Sequence, residues 1–315
     1  MSSTSATFAE PFCHEALLYA GEEEFLRATE RFILDGLQAG EPTLVVVGAA
    51  KIDALRAALP PCEDTVMFAD MADVGANPGR IIPAWQEFVA RYGSAGVRLR
   101  GIGEPVWTER GAAELVECQR HESLLNLAFA DAAGFKLLCP YDVLSLGPAV
   151  LEEAERSHPI VRDGRTRRRS TTYADIDPGS TLDAPLPEAP VDAREARFGP
   201  ASLGSLRALV GREAARAGLL SGKIADMVLA VNEVATNSIT HGGGSGRLRI
   251  WRESAALVCE VSDRGQVDSA LVDRRRPDAQ PDDSRGLWMA NQLCDLVQLR
   301  SSSSGTTVRV HVVVA

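Results

Sequence analysis

Residues 229–251 read LAVNEVATNSITHGGGSGRLRIW. Glu233, Asn237 and His241 follow each other at spacings of four, so on a helix a carboxylate, an amide and an imidazole stand in one file. Ile224, Val228, Val231, Val234 and Ile239 mark a separate apolar side of the same segment. Alone, such a file is most often a solvated face. Residues further along change that weighing. CEVSDRG ends an alternating strand with Asp263, and Gly265 follows two residues on. A carboxylate there can accept from an exocyclic amine, while glycine lets backbone approach a flat ring. DDSRGLWMANQL sets Ser284, Arg285 and Gly286 ahead of a helix, whose leading N–H groups are free to meet an anion. SGTTVRV brings Thr306 and Thr307 into a strand after a glycine turn. Each piece is common singly. Their order is not.

These side chains need a frame, and the periodicity supplies one. From Phe198 onward, GPASLGSLRALVGREAARAGL predicts an amphipathic helix with Leu203, Leu206, Leu209 and Val210 on one face. KIADMVLAVNEVATNSITHG predicts a second helix, GLWMANQLCDL a third, and GRLRIWRE, ALVCEVSDRG, VQLRS and TTVRVHVVV predict strands. Helices beside short strands imply an α+β two-layer domain over 198–315. The first half alternates instead. TLVVVG, TVMFAD, VRLRGIG and FKLLCPYD are apolar runs separated by helical segments, which predicts an α/β domain over 10–157 with a parallel sheet and helices on both faces. Between them, residues 158–197 read as a linker, with five arginines from Arg162 to Arg169 and prolines at 178, 185, 187 and 190. The arginine cluster reads as a solvated charge run.

Composition narrows the class. A chain of 315 residues suits two domains. A formal net charge of −10 argues against nucleic acid as a partner. Six scattered cysteines without a CxxC pair suggest a reduced, cytoplasmic chain rather than a disulfide framework or zinc cage. No apolar run approaches the ~18 residues of a membrane span, and the first residues carry no signal-peptide pattern.

Over 198–315 the four ordered motifs resemble the GHKL (Bergerat) ATPase superfamily, and within it the anti-sigma-factor serine/threonine kinases. The resemblance implies ATP and Mg²⁺ as cofactors. It implies that Asn237 binds the metal and that Glu233 is the base accepting the proton of a partner serine. It further implies that Asp263 holds the adenine amine with Gly265 beneath the base, that Arg285, Gly286 and Leu287 shape the phosphate end, and that Thr307 supports the adenine pocket. His241 flanks the site or caps its helix. Two departures stand out: DRGQVDSAL lacks a second glycine, and DDSRG replaces a glycine-rich run. Nothing corresponds to a phosphoacceptor-histidine helix, which disfavours a histidine kinase.

The first half has no phosphate loop, since VVVGAAKIDAL lacks the GxxxxGK[ST] spacing. Polar residues gather instead at predicted strand C-ends, where open α/β sheets bind ligands: Asp70, Glu104, Cys139, Tyr141 and Asp142. With HEALLYAGEEEFL, LRGIGEPVW, RHESLLNLAFA and LLCPYD, this half resembles the MEDS sensory domain of bacterial signalling proteins. That implies a small-molecule signal, with His14, Glu104 and Tyr141 as candidate contacts. His14 reads equally as a satisfied core histidine, and Cys139 and Tyr141 read as core.

The resulting expectation is a sensor-regulated, ATP-dependent protein serine kinase of the anti-sigma type. Its partners would be an anti-anti-sigma protein and a sigma factor, with regulation through contact between domains or between the subunits of a homodimer. Two rivals are an adaptor that sequesters a partner without phosphorylating it, and a small-molecule receptor whose ATPase half is degenerate.

Overall fold

The computed structural model describes residues 10–93, 96–164, 166–174, 180–253, 255–277 and 285–314. The chain divides into two units, one of residues up to 75 and 84–175, the other of 76–83 and 176–315.

The first unit runs β1 (Cys13–Tyr19), α1 (Gly21–Ala39), β2 (Thr43–Val47), α2 (Ala49–Ala58), β3 (Val66–Asp70) and α3 (Met71–Val74). It continues with α4 (Ile81–Tyr92), β4 (Leu99–Gly103), α5 (Ala112–Ala128), β5 (Phe135–Asp142), α6 (Pro148–Ser157), β6 (Ile160–Asp163) and β7 (Thr166–Arg169). Its sheet has the order β3-β2-β4-β5-β1-β6-β7, parallel except for β7 against β6. The expected parallel sheet is present, and β1, a strand the sequence patterning leaves unmarked, lies inside it. Register pairs His14 with Leu137 and Ala16 with Cys139, so those four residues share one face. Leu17 and Tyr19 point to the other, into a core with Phe25, Ile33, Val45 and Leu55.

The presumed linker starts later than the sequence suggests. Ile160–Asp163 and Thr166–Arg169 are strands of this sheet. Three of their arginines are engaged rather than merely solvated: Arg162 and Arg167 both meet the buried Glu15 carboxylate, and Arg168 pairs with Glu155 at 2.6 Å. A buried carboxylate on β1 needs cations beside it, and an edge hairpin can supply them.

In the second unit come α7 (Ser180–Asp183), β8 (Arg194–Phe198), α8 (Leu203–Ala217), α9 (Ser221–Thr240), β9 (Gly246–Glu253), β10 (Ala256–Asp263), α10 (Arg285–Leu293), β11 (Leu296–Ser302) and β12 (Gly305–Val313). Its sheet, β11-β12-β10-β9-β8, is antiparallel throughout. Helices and sheet share one core, with Leu206, Val210, Met227, Val231 and Val234 packed with Leu248, Cys259, Val261, Val308 and Val310. The buried stripe of α9 runs through Met227, Ala230, Val231, Val234, Ala235 and Ser238, while Ile224, Val228 and Ile239 pack at its edge. Within this unit the segment 76–83 ties down the end of α10. Asn77 Nδ2 donates to the Asn291 and Cys294 carbonyls at 3.1 and 3.2 Å, and Arg80 Nε to Asn291 O at 2.8 Å. Those are carbonyls that a helix end leaves without intrahelical partners.

Candidate functional site

Strand parity decides what faces α9. On β10, Leu257, Cys259 and Val261 point into the core, and Asp263 is the next residue of that parity. Its Oδ2 accepts from Ser238 Oγ on α9 at 2.6 Å, and its Oδ1 from the Gly265 N–H at 2.8 Å. The carboxylate is thus aimed by two donors. Glycines make room around it. A Cβ on Gly242 would fall 2.4 Å from the Asp263 carboxyl carbon, and one on Gly265 would fall 2.7 Å from the His241 carbonyl. Gly305 has φ +127°, a region that favours glycine, and a Cβ there would strike the Asp263 carbonyl.

The crevice beside Asp263 is lined by Asn237, Ser238, His241, Gly265, Leu287 and Thr306, among others. Thr306 Oγ1 donates to the Gly265 carbonyl at 2.9 Å and lies 3.0 Å from Ser301 Oγ. Thr307, the residue singled out from sequence, has the opposite parity. It lines a separate groove with Arg249, Glu260 and Arg309, so the supporting hydroxyl beside Asp263 is that of Thr306. The strand alternation that places Asp263 places Thr306 as well.

One turn up the helix, Gly286 packs against the polar file. A Cβ there would sit 3.2 Å from Asn237 Nδ2 and 3.3 Å from Glu233 Cβ. The start of α10 therefore lies against Glu233 and Asn237, and only glycine leaves that approach uncrowded. The Glu233 carboxylate accepts a long contact from Asn232 Nδ2, 3.4 Å. The Asn237 amide has no hydrogen-bond partner among the described residues. Its side chain lies against Gly286 in the described start of α10. Arg285 is exposed, and His241 is the C-cap of α9, its N–H donating to the Asn237 carbonyl at 2.7 Å with the side chain exposed. Ser284, like the acidic residues at 278, 282 and 283, lies outside the described residues. The Asp263 crevice holds about 60 Å³, well under the ~300–1,000 Å³ of ordinary small-molecule pockets. A purine would have to part its walls.

The sensor candidates do not converge. Glu104 is buried against Lys51 Nζ at 2.6 Å and the Tyr19 hydroxyl at 2.6 Å, and that ammonium also lies over the Tyr19 and Phe25 rings. Burial pushes the Glu104 carboxyl up despite the Lys51 charge, and pushes the Tyr19 phenol up too. This is a satisfied internal triad. It also accounts for the lysine of VVVGAAKIDAL, which serves Glu104. His14 and Tyr141 belong elsewhere: both rings contact His158, at centroid distances of 4.0 and 5.6 Å. Around them, α5 buries Glu117, Arg120, His121 and Glu122, an expensive composition for a helix interior. Burial, with His158 beside it, pushes the His14 imidazole down to about 4, and burial raises the Cys139 thiol well above its ordinary range. Sequence spacing hides this cluster, because its members come from separate elements.

Comparison with known proteins fits the two-unit description. Residues 13–159 match the family described as methanogen/methylotroph, DcmR sensory domain (MEDS), and residues 197–312 match the histidine kinase-like ATPase domain. The chain carries one domain of each kind, and the α+β layering of the second unit is that of the GHKL class. No curated protein matches the sequence. Similar solved structures include the RsbU and RsbW domains of a Mycobacterium tuberculosis protein, at 20% identity and TM-score 0.29, covering 38% of this chain and 32% of that one. Another is the histidine kinase AdeS of Acinetobacter baumannii, at 10% identity and TM-score 0.23, covering 39% of this chain and 69% of that one. The chain thus spans about a third of the mycobacterial one, and likenesses at these scores carry no functional inference. Among the described residues no helix is long and apolar enough to cross a membrane.

Proposed function

We propose that the second unit binds ATP with Mg²⁺ and transfers its terminal phosphoryl group to a serine of a protein partner. The observation that carries this is the approach of Gly286 to Asn237 and Glu233, which brings an amide, a carboxylate and the described start of α10 together. In this reading the Asp263 carboxylate, oriented by Ser238 and Gly265, receives the adenine amine. The Asn237 oxygen holds the metal, and Gly286 and Leu287 present N–H groups to phosphate. Bound Mg²⁺ would neutralise charge on the phosphates. Glu233 would accept the proton of the attacking serine hydroxyl, a task that pure sequestration of a partner does not require. The first unit would act as the sensor that regulates this chemistry. An anti-anti-sigma protein is the substrate that the resemblance suggests, with a sigma factor as the competing partner.

The test is phosphoryl transfer by the full chain, with labelled ATP and a candidate anti-anti-sigma protein. Glu233→Gln is expected to keep nucleotide affinity and to lose transfer by about 10²–10⁴-fold, the usual range for removal of a general base. Transfer at the parental rate by that variant would make Glu233 structural. Tight Mg-ATP binding by the parent with no transfer to any serine would favour the sequestering adaptor instead.

A further inference from the structure

His14, Glu122, Cys139 and His158 are all buried, and one donor atom from each lies within 4.8 Å of every other. They reach that position from β1, α5, β5 and the residue after α6. His14 Nε2 is 3.2 Å from Glu122 Oε2 and 3.3 Å from Cys139 Sγ, and His158 Nε2 is 3.2 Å from the same carboxylate oxygen.

The hydrogen bonds behind the cluster settle which atoms carry protons. His158 Nδ1 lies 2.7 Å from the Ala154 carbonyl, which can only accept, so Nδ1 holds a proton and, in the neutral ring, Nε2 is a lone pair. Asn126 Nδ2 donates to the Ser157 carbonyl at 2.8 Å, which turns its Oδ1 toward His14 Nδ1 at 3.1 Å. The His14 proton is therefore also on Nδ1, and its Nε2 faces the cluster bare. Backing an imidazole from the far nitrogen in this way is how proteins orient metal-ligating histidines.

The interior then contains two imidazole nitrogens and a carboxylate, with the Cys139 thiol 3.3 Å from His14 Nε2. That thiol can serve His14 Nε2. Both oxygens of Glu122 and Nε2 of His158 remain without a hydrogen-bond partner. Buried acceptors are ordinarily paired, and three orphans aimed at one point call for a positive group there. A proton shared between His158 Nε2 and Glu122 Oε2 would pair those two atoms and still leave Glu122 Oε1 without a partner.

We infer that these four side chains form a binding site for one divalent transition-metal ion of the zinc class. Two imidazoles, a thiolate and a carboxylate are a borderline-soft donor set, which selects zinc, cobalt or ferrous iron over magnesium or calcium. Metal–ligand bonds of about 2.0–2.3 Å in a tetrahedron imply donor separations of about 3.3–3.8 Å. The closest pairs already have that spacing, so the remaining adjustment is a short inward turn of side chains. All four positions are filled by protein, so the ion would tie β1, α5, β5 and the end of α6 together. Cys139 would lose its proton on binding.

The experiment uses the full chain, produced without a histidine tag, dialysed against Zn²⁺ or Co²⁺ and then freed of loose metal. Elemental analysis is expected to find one ion per chain. The Co²⁺ form should display the intense d–d bands of a tetrahedral site with a thiolate charge-transfer band. Cys139→Ser should retain the fold by circular dichroism and lose the charge-transfer band. Asn126→Ala, which alters only the residue behind His14, should keep the band and bind about 10–100-fold more weakly. A folded parent holding neither ion in stoichiometric amount would overturn the site, and so would a charge-transfer band undiminished in Cys139→Ser.

Discussion

Helices α5 and α9 each carry a run of polar side chains, and the two runs differ in where their polar atoms end. On α9 Glu233 and Asn237 are half-buried and His241 is exposed. Asn237 and His241 line a crevice, and among the described residues the Asn237 amide has no hydrogen-bond partner while the Glu233 carboxylate accepts a long contact from Asn232. On α5 the polar groups are sealed, and Glu122 meets two imidazoles and a thiol brought by other elements. An open file can exchange a ligand quickly, since water replaces whatever leaves. A sealed cluster can hold only something small that stays. The crevice therefore suits turnover, and the sealed cluster suits a fixed ion that supports the first unit.

That contrast breaks first at Gly286. Gly286→Val would push branched carbons into Asn237 and Glu233, where a Cβ alone is already at 3.2–3.3 Å. We expect ATP affinity of the full chain to fall by about 100-fold, the scale of loss from displacing positioned groups by an ångström. Metal content of the first unit should not change. Titration calorimetry and elemental analysis on one preparation check both halves. A variant that binds ATP like the parent would remove the phosphate end from α10.

A smaller effect separates two neighbouring threonines. Thr306→Ala removes a donor to the Gly265 carbonyl and a contact to Ser301. It should cost about 1 kcal/mol in denaturant unfolding, the usual net worth of one hydrogen bond, and weaken nucleotide binding. Thr307→Ala, on the other side of the strand, should leave binding unchanged. The reverse outcome would restore Thr307 as the supporting residue.

The same contrast explains what was legible in the sequence. Glu233, Asn237 and His241 lie on one helix at spacings of four, so period alone stacks them, and Asp263 ends a strand whose alternation is plain. The layering of both units followed from apolar runs and helical periods. Sequence does not separate Thr306 from Thr307, because two adjacent threonines give no clue to strand parity until the register with Asp263 is known. β1 is hidden in the sequence because CHEALLY carries two buried polar residues, His14 and Glu15, whose partners lie more than a hundred residues away. Arg162 of β6 and Arg167 of β7 read as solvated in a local pattern because Glu15, which they neutralise, is equally remote. Long-range pairing does not register in a local pattern. The segment 76–83 is the extreme case, joining the second unit from inside the sequence of the first.

The central claim is that the crevice of Asp263 and Asn237, with Gly286 packed against Asn237, is a metal-assisted nucleotide site, and calorimetry of ATP binding to the full chain with and without Mg²⁺ tests it most directly. The account predicts strong binding with Mg²⁺, much weaker binding after chelation, and an Asn237→Ala variant whose affinity no longer depends on the metal. Equal affinity with and without Mg²⁺ in the parent, or no binding in either condition, would contradict it.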